Sequence, residues 1–308
     1  MSLSESNAAS RLLRPDALDR VARLELIARG VVEGFITGRH QSPYKGTSVE
    51  FAEHRQYVPG DDLRDLDWRV LGKSDRYYVK QYKEETNLRS VLLVDASGSM
   101  SYAGDRAAQI DGRPVSKFDY ARYLAASIAY LLVHQQDAVG LVSFDTQIKA
   151  QLPSRSNARH LRTLLAEIDA LEAGGETDMG PIFDDIAEQV HRRSLVVILS
   201  DLFGDPDRLI QALHHFRFRR HEVMLLHVMA DEELTFPFDS WSDFRDLETP
   251  GSHEQLDPAT VRAEYLERVR NHVQRIETAC GQLKIDYVPM NTRTPFDTAL
   301  ASFLASRR

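Results

Sequence analysis

The sequence predicts an α/β protein: a doubly wound, mostly parallel sheet flanked by helices, with a small β-containing appendage ahead of it. Three observations predict this. From Arg89 onward, short apolar runs alternate with amphipathic stretches of helical period. The runs are apolar on both faces, as strands covered by helices on each side must be. The 308 residues are 43% hydrophobic and 27% charged, a globular composition long enough to bury a substantial core.

The elements follow in order. Between about Asp16 and Arg39 the apolar positions Leu18, Val21, Leu24, Ile27, Val31 and Phe35 recur on one helical face. After the loop "GRHQSPYKG" come two strand-like stretches, "SVEFAEHRQY" and "RYYVKQYKEE". The segment between them turns at Pro59-Gly60, and Asp61 or Asp62 can cap a short helix holding Leu63, Leu66 and Trp68. Residues 1–86 are therefore expected to form an N-terminal helix plus a small β-containing module, and 87–308 the α/β domain. In that domain the strands are "VLLVD", "AVGLVSF", "LVVILSD", "EVMLLHVM" and "KIDYVPM", with "QIKAQLP" as an antiparallel edge. Residues from about 231 to 257 interrupt the alternation and read as an insertion whose aromatics tuck against the sheet.

Composition narrows the function classes. A balance of 38 basic against 46 acidic residues gives a net charge of −8, which disfavours non-specific binding to nucleic acid or to an anionic membrane. No basic-then-apolar leader opens the chain, and "LIARGVVEGFI" is short and broken by Arg29 and Glu33, so no direct membrane insertion is expected and the cytoplasm is the simplest location. The single cysteine, Cys280, excludes an intrachain disulfide and reads as a buried, inert thiol at a helix end.

Ligands of open α/β sheets bind beyond the carboxyl ends of the strands. There the sequence delivers Asp95, Ser97 and Ser99 in "VLLVDASGSM", Thr177 and Asp178 in "GGETDMGP", Ser200 and Asp201 in "LVVILSD", and Asp145 in "LVSFD". Five chemistries compete for the first of these. Helix capping is the plain one. A nucleophile elbow needs G-x-S-x-G, and a phosphate loop needs a lysine that "DASGSMSYAG" lacks. An aspartyl phosphohydrolase with Asp95 as nucleophile wants a second carboxylate two residues on, where Ser97 stands. The fifth is a hard divalent cation held by hydroxyl and carboxylate oxygens.

"DASGS", the Thr of "GGETD" and the Asp of "ILSD", in that order, resemble the metal-ion-dependent adhesion site of the von Willebrand factor A domain. That resemblance implies Asp95, Ser97, Ser99, Thr177 and Asp201 as the metal set, with Asp178 behind Thr177. It implies Mg²⁺, with Mn²⁺ or Ca²⁺ as substitutes, and a partner's Asp or Glu completing the shell. "FAEHRQYVPGDDLRDLDWRVLGKSDRYYVKQYKEE" and the C-terminal "FRDLETPG" and "KIDYVPMNTRTPFDTALASFL" are similar to the bacterial domain of unknown function 58 family. Those proteins are commonly paired with MoxR-type AAA+ ATPases, which implies a non-enzymatic adaptor acting on that ATPase or its client.

The remaining polar features have plainer readings. The charges of "GDDLRDLDWR" suit a solvated short helix, and Asp184 and Asp185, adjacent on a helix, point apart. His214, His215, His221 and His227 lack the i, i+4 spacing of a helical metal pair and read as surface or satisfied core histidines.

Overall fold

The computed structural model describes residues 15–37, 51–56, 77–82, 88–110, 112–176, 178–190, 192–249 and 251–306. Thr177 and the whole of "GDDLRDLDWR" lie outside the described residues.

The chain forms two units, one of residues 41–88 and one of 1–40 with 89–308. The smaller unit contains an antiparallel pair, β1 (Phe51–Gln56) with β2 (Tyr78–Tyr82). The N-terminal helix α1 (Pro15–Thr37) belongs to the larger unit, which corrects the expected grouping of residues 1–86. Val21, Leu24, Ala28 and Val32 are buried on it, and Arg20 Nε reaches Asp169 Oδ2 at 2.9 Å. Ile27 and Val31 are only partly buried, so the inward stripe runs through Ala28 and Val32 and not through Ile27 and Val31.

The larger unit is the expected α/β architecture. Its strands are β3 (Arg89–Asp95), β6 (Ala138–Phe144), β7 (Ile148–Arg155), β8 (Leu195–Ser200), β9 (Glu222–Met229) and β12 (Asp286–Asn291). A two-residue ribbon, β4 (Gln109–Ile110) with β5 (Arg113–Pro114), lies beyond β3. The six-stranded sheet runs β12-β9-β8-β3-β6-β7, parallel except for β7, which pairs antiparallel to β6 as the edge. In sequence order this is 3-2-1-4-5-6, a doubly wound order whose switch point lies between β3 and β8. Every residue of β3 after Arg89 is buried, as is every residue of β8.

The helices covering the sheet start where polar caps permit. Ser116 accepts the Asp119 amide to open α2 (Lys117–His134), and Asn157 accepts that of His160 to open α3 (Ala158–Ala170). The helix α4 (Met179–Gln189) follows the 171–176 loop. Asp205-Pro206 opens α5 (Pro206–Phe218), and Asp257-Pro258 opens α7 (Pro258–Leu283), each with proline at the first helical position. On one face of the sheet Leu93, Phe144 and Ile198 pack with Phe183 of α4 and Leu213 and Phe216 of α5. The insertion contains a short helix α6 (Asp231–Thr235) and a hairpin of β10 (Ser242–Arg245) with β11 (His253–Leu256). Its aromatics gather on one another and on Tyr265 of α7, where the sequence reading placed them against the sheet: Phe236 lies 4.5 Å from Tyr265 and 5.8 Å from Phe244, between ring centroids. The helix α8 (Phe296–Ser306) closes the described chain.

Candidate metal centre

The switch point sets Asp95, the last residue of β3, beside Ser200, the last of β8. Both are fully buried. Asp95 uses both carboxylate oxygens: Oδ1 accepts the Ser97 amide at 2.9 Å and Oδ2 accepts the Ser200 hydroxyl at 2.5 Å. The turn this creates brings the Ser97 and Ser99 hydroxyls to 3.1 Å from each other. Ser97 is buried and Ser99 half-buried.

The 95–99 loop is held from two further sides. Ala96 O accepts from Gly174 N at 2.9 Å, and Gly98 N donates to Gly175 O at 2.8 Å. These bonds join it to the backbone immediately ahead of Thr177. Above it sits the hairpin of the insertion: a Cβ on Gly98 would stand 2.2 Å from Leu247 O. Gly98 has an ordinary helical φ of −62°, so glycine is required there by this close approach and not by the backbone angle.

Asp201 is 1% exposed, and its Oδ1 accepts from Phe203 N at 3.2 Å. Its Oδ2 takes a 2.7 Å bond from the ammonium of Lys117, the first residue of α2. The same ammonium bonds Glu233 Oε1 at 2.5 Å and lies 4.8 Å from the centre of the Phe203 ring. Burial alone pushes the Lys117 pKa down, but the Asp201 and Glu233 charges outweigh it and hold the ammonium above its ordinary value. Glu233 Oε2 in turn accepts the Ala230 amide at 2.8 Å. Behind Asp201, His227 Nε2 donates to the Asp201 carbonyl at 2.8 Å, and His227 Nδ1 accepts from Tyr287 at 2.7 Å. Burial lowers the His227 pKa to about 4, so the ring is a neutral spacer that fixes the β8 turn.

Asp95 senses its surroundings differently. Burial first, and the nearby Asp201 charge second, raise its pKa to about 7 against the lowering effect of its Ser200 and Ser97 hydrogen bonds. Two buried aspartates beside a single fully engaged ammonium form an electronegative site, the environment that a divalent cation neutralises.

The residues present fit such a cation. Adjacent ligands of an octahedral ion with bonds of about 2.1 Å stand roughly 3.0 Å apart, and the Ser97 and Ser99 oxygens are 3.1 Å apart. The donors are hard oxygens, the preference of Mg²⁺, Mn²⁺ and Ca²⁺ and not of Zn²⁺. Among the described residues no three His, Cys, Asp or Glu side chains converge as a metal cluster. The structure thus groups Asp95, Ser97, Ser99 and Asp201. Asp178 pairs with Arg208 at 3.1 Å, and its expected place behind Thr177 involves a residue outside the described ones. Asp145 caps its own turn through Gln147 N and pairs with Lys149.

A family model described as a protein of unknown function, DUF58, matches residues 53–275. The chain belongs to that family. It is 27% identical over 297 residues to the uncharacterized protein Rv1480 of Mycobacterium tuberculosis, covering 92% of this chain and 88% of that protein. Among solved structures it is similar to BatB from Bacteroides thetaiotaomicron, at 18% identity and TM-score 0.45, covering 71% of this chain and 98% of that one. It is also similar to the SpRpn10 VWA domain, at 10% identity and TM-score 0.40, covering 70% and 94%. Among the described residues of this DUF58 chain, no helix is long and apolar enough to cross a membrane.

Two groups that shape the site escaped the sequence reading as functional. Lys117 is not among the candidate residues of the sequence reading, yet it opens α2 beside Asp201 and is 1% exposed. His227 reads as a satisfied core histidine; it is one, and what it satisfies is the carbonyl of Asp201.

Proposed function

We propose that this DUF58 protein is a non-enzymatic, metal-dependent protein-binding module that captures an acidic side chain of a partner. Asp95, Ser97, Ser99 and Asp201, with Thr177, would hold Mg²⁺ or a similar divalent cation. Bound there, the cation supplies an electrophilic position for a carboxylate. The observation that carries this reading is the pair of serine hydroxyls 3.1 Å apart over a buried aspartate at the switch point. Asp201, bonded to Lys117, suits a role through water, because one of its oxygens already serves the ammonium. In this reading the partner is a MoxR-type AAA+ ATPase or its client, met in the cytoplasm.

The rival reading, a phosphohydrolase with Asp95 as nucleophile, has less support. Asp95 is 0% exposed, so its carboxylate is not open to the phosphorus of an incoming substrate. Ser97 also stands where the general acid would be. A cross-linked pull-down from the native host tests the proposal. An AAA+ ATPase or its client should be recovered in Mg²⁺ and lost with chelator or with Ser97→Ala/Ser99→Ala. Recovery unaffected by both would overturn the metal-dependent reading.

A further inference from the structure

Beside the candidate metal centre lies a cavity of about 410 Å³, within the about 300–1,000 Å³ range of sites that bury a small ligand or large side chain. Phe203, Phe236, Phe238, Phe244 and Tyr265 line it, and so does Ser99. One residue therefore belongs both to the metal set and to the cavity wall. The insertion makes this continuity rigid, because Leu247 O is packed directly over Gly98 of the 95–99 loop.

Most of the charged groups around the cavity are engaged within the protein. Lys117 holds Asp201 and Glu233, Arg245 holds Asp243, and Asp246 accepts the Glu248 and Thr249 amides. Glu232 accepts the Arg106 amide through Oε1, while its Oε2 is buried against Gly104 with no hydrogen-bond partner among the described residues. What an incoming group meets is aromatic surface. The same insertion exposes Leu234, Leu247 and Trp241, the last at 73%.

Resting on the metal-dependent reading above, we infer that the cavity takes a large apolar side chain within two residues of the carboxylate that completes the metal's shell. The partner is thus recognised as an acidic–apolar pair on one polypeptide segment. The metal fixes the carboxylate, and the neighbouring side chain, buried among the aromatics, supplies selectivity.

A phage-displayed random-peptide library panned on the immobilised full chain in MgCl₂, and eluted with chelator, tests this. The eluted peptides should share Asp or Glu with Leu, Ile, Met or Phe within two positions. For a synthetic peptide of that pattern, changing the apolar residue to Ala should weaken binding about tenfold or more. Phe244→Ala in the protein should abolish the difference between the two peptides. Enrichment of the acid with no apolar neighbour, enrichment of basic neighbours, or no chelator-eluted peptide at all would overturn the inference. Mn²⁺ binding by electron paramagnetic resonance on the same preparation separates the failures. If Mn²⁺ does not bind, the metal reading fails; if it binds and no apolar preference appears, only the cavity assignment fails.

Discussion

Replacing Lys117 with Met removes the only ammonium that bonds Asp201 and Glu233 among the described residues. The two bonds, 2.7 and 2.5 Å, involve side chains that are 1% exposed for Lys117 and Asp201 and 13% for Glu233. Breaking a buried pair from one side costs about 3–5 kcal/mol, because the carboxylate left behind stays desolvated without a counter-charge. Against a total stability of about 5–15 kcal/mol this is a large fraction. Urea unfolding between about pH 5 and pH 8 reads it, and the pH dependence identifies its origin. In the wild type the Lys117 pKa is raised, so its contribution is complete below the ordinary 10.5 and is lost only as pH rises through the still higher folded value. It is therefore constant across the range measured. Burial already raises the Glu233 pKa with Lys117 present, and without the ammonium it rises further. Protonation then relieves the stranded charge, and the gap between variant and wild type narrows as pH falls. Adding Glu233→Gln to the variant should recover part of the loss. A loss below about 1 kcal/mol at neutral pH, or a gap that does not change with pH, would refute the counter-ion account.

Two further outcomes are expected. Gly98→Ala should destabilise the protein by roughly 1–3 kcal/mol and increase proteolysis within the hairpin, because its Cβ would lie 2.2 Å from Leu247 O; thermal melting and limited proteolysis check both. Cys280 is buried, and burial raises its pKa to about 12, so it should resist a thiol-reactive disulfide at neutral pH until denaturant is added.

The sheet was legible because its strands are short, uniformly apolar and separated by helices with ordinary caps, so local pattern and tertiary burial agree. Asp95, Ser97, Ser99 and Asp201 were legible because doubly wound topology sends strand ends to one edge, and the β3/β8 switch point does the rest. Lys117 was not, because its burial depends on residues distant along the chain, 84 positions away at Asp201 and 116 at Glu233. Nothing local distinguishes it from any lysine in the first turn of a helix. The hairpin's place over Gly98 was hidden for the same reason: the sequence marks residues 231–257 as an insertion but carries no periodic signal that says which surface it covers.

The central claim is tested most directly by titrating Mn²⁺ into the full chain and into Ser97→Ala/Ser99→Ala, with binding followed by calorimetry and paramagnetic resonance. Unlike a change at Asp201, this double substitution strands no buried charge, so the fold should be retained and a lost signal assigned to the site itself. The account predicts one site per chain in the wild type, competed by Mg²⁺, and an affinity at least about tenfold weaker in the variant with an unchanged melting temperature. An identical titration in the two proteins, or no binding by the wild type, would contradict it.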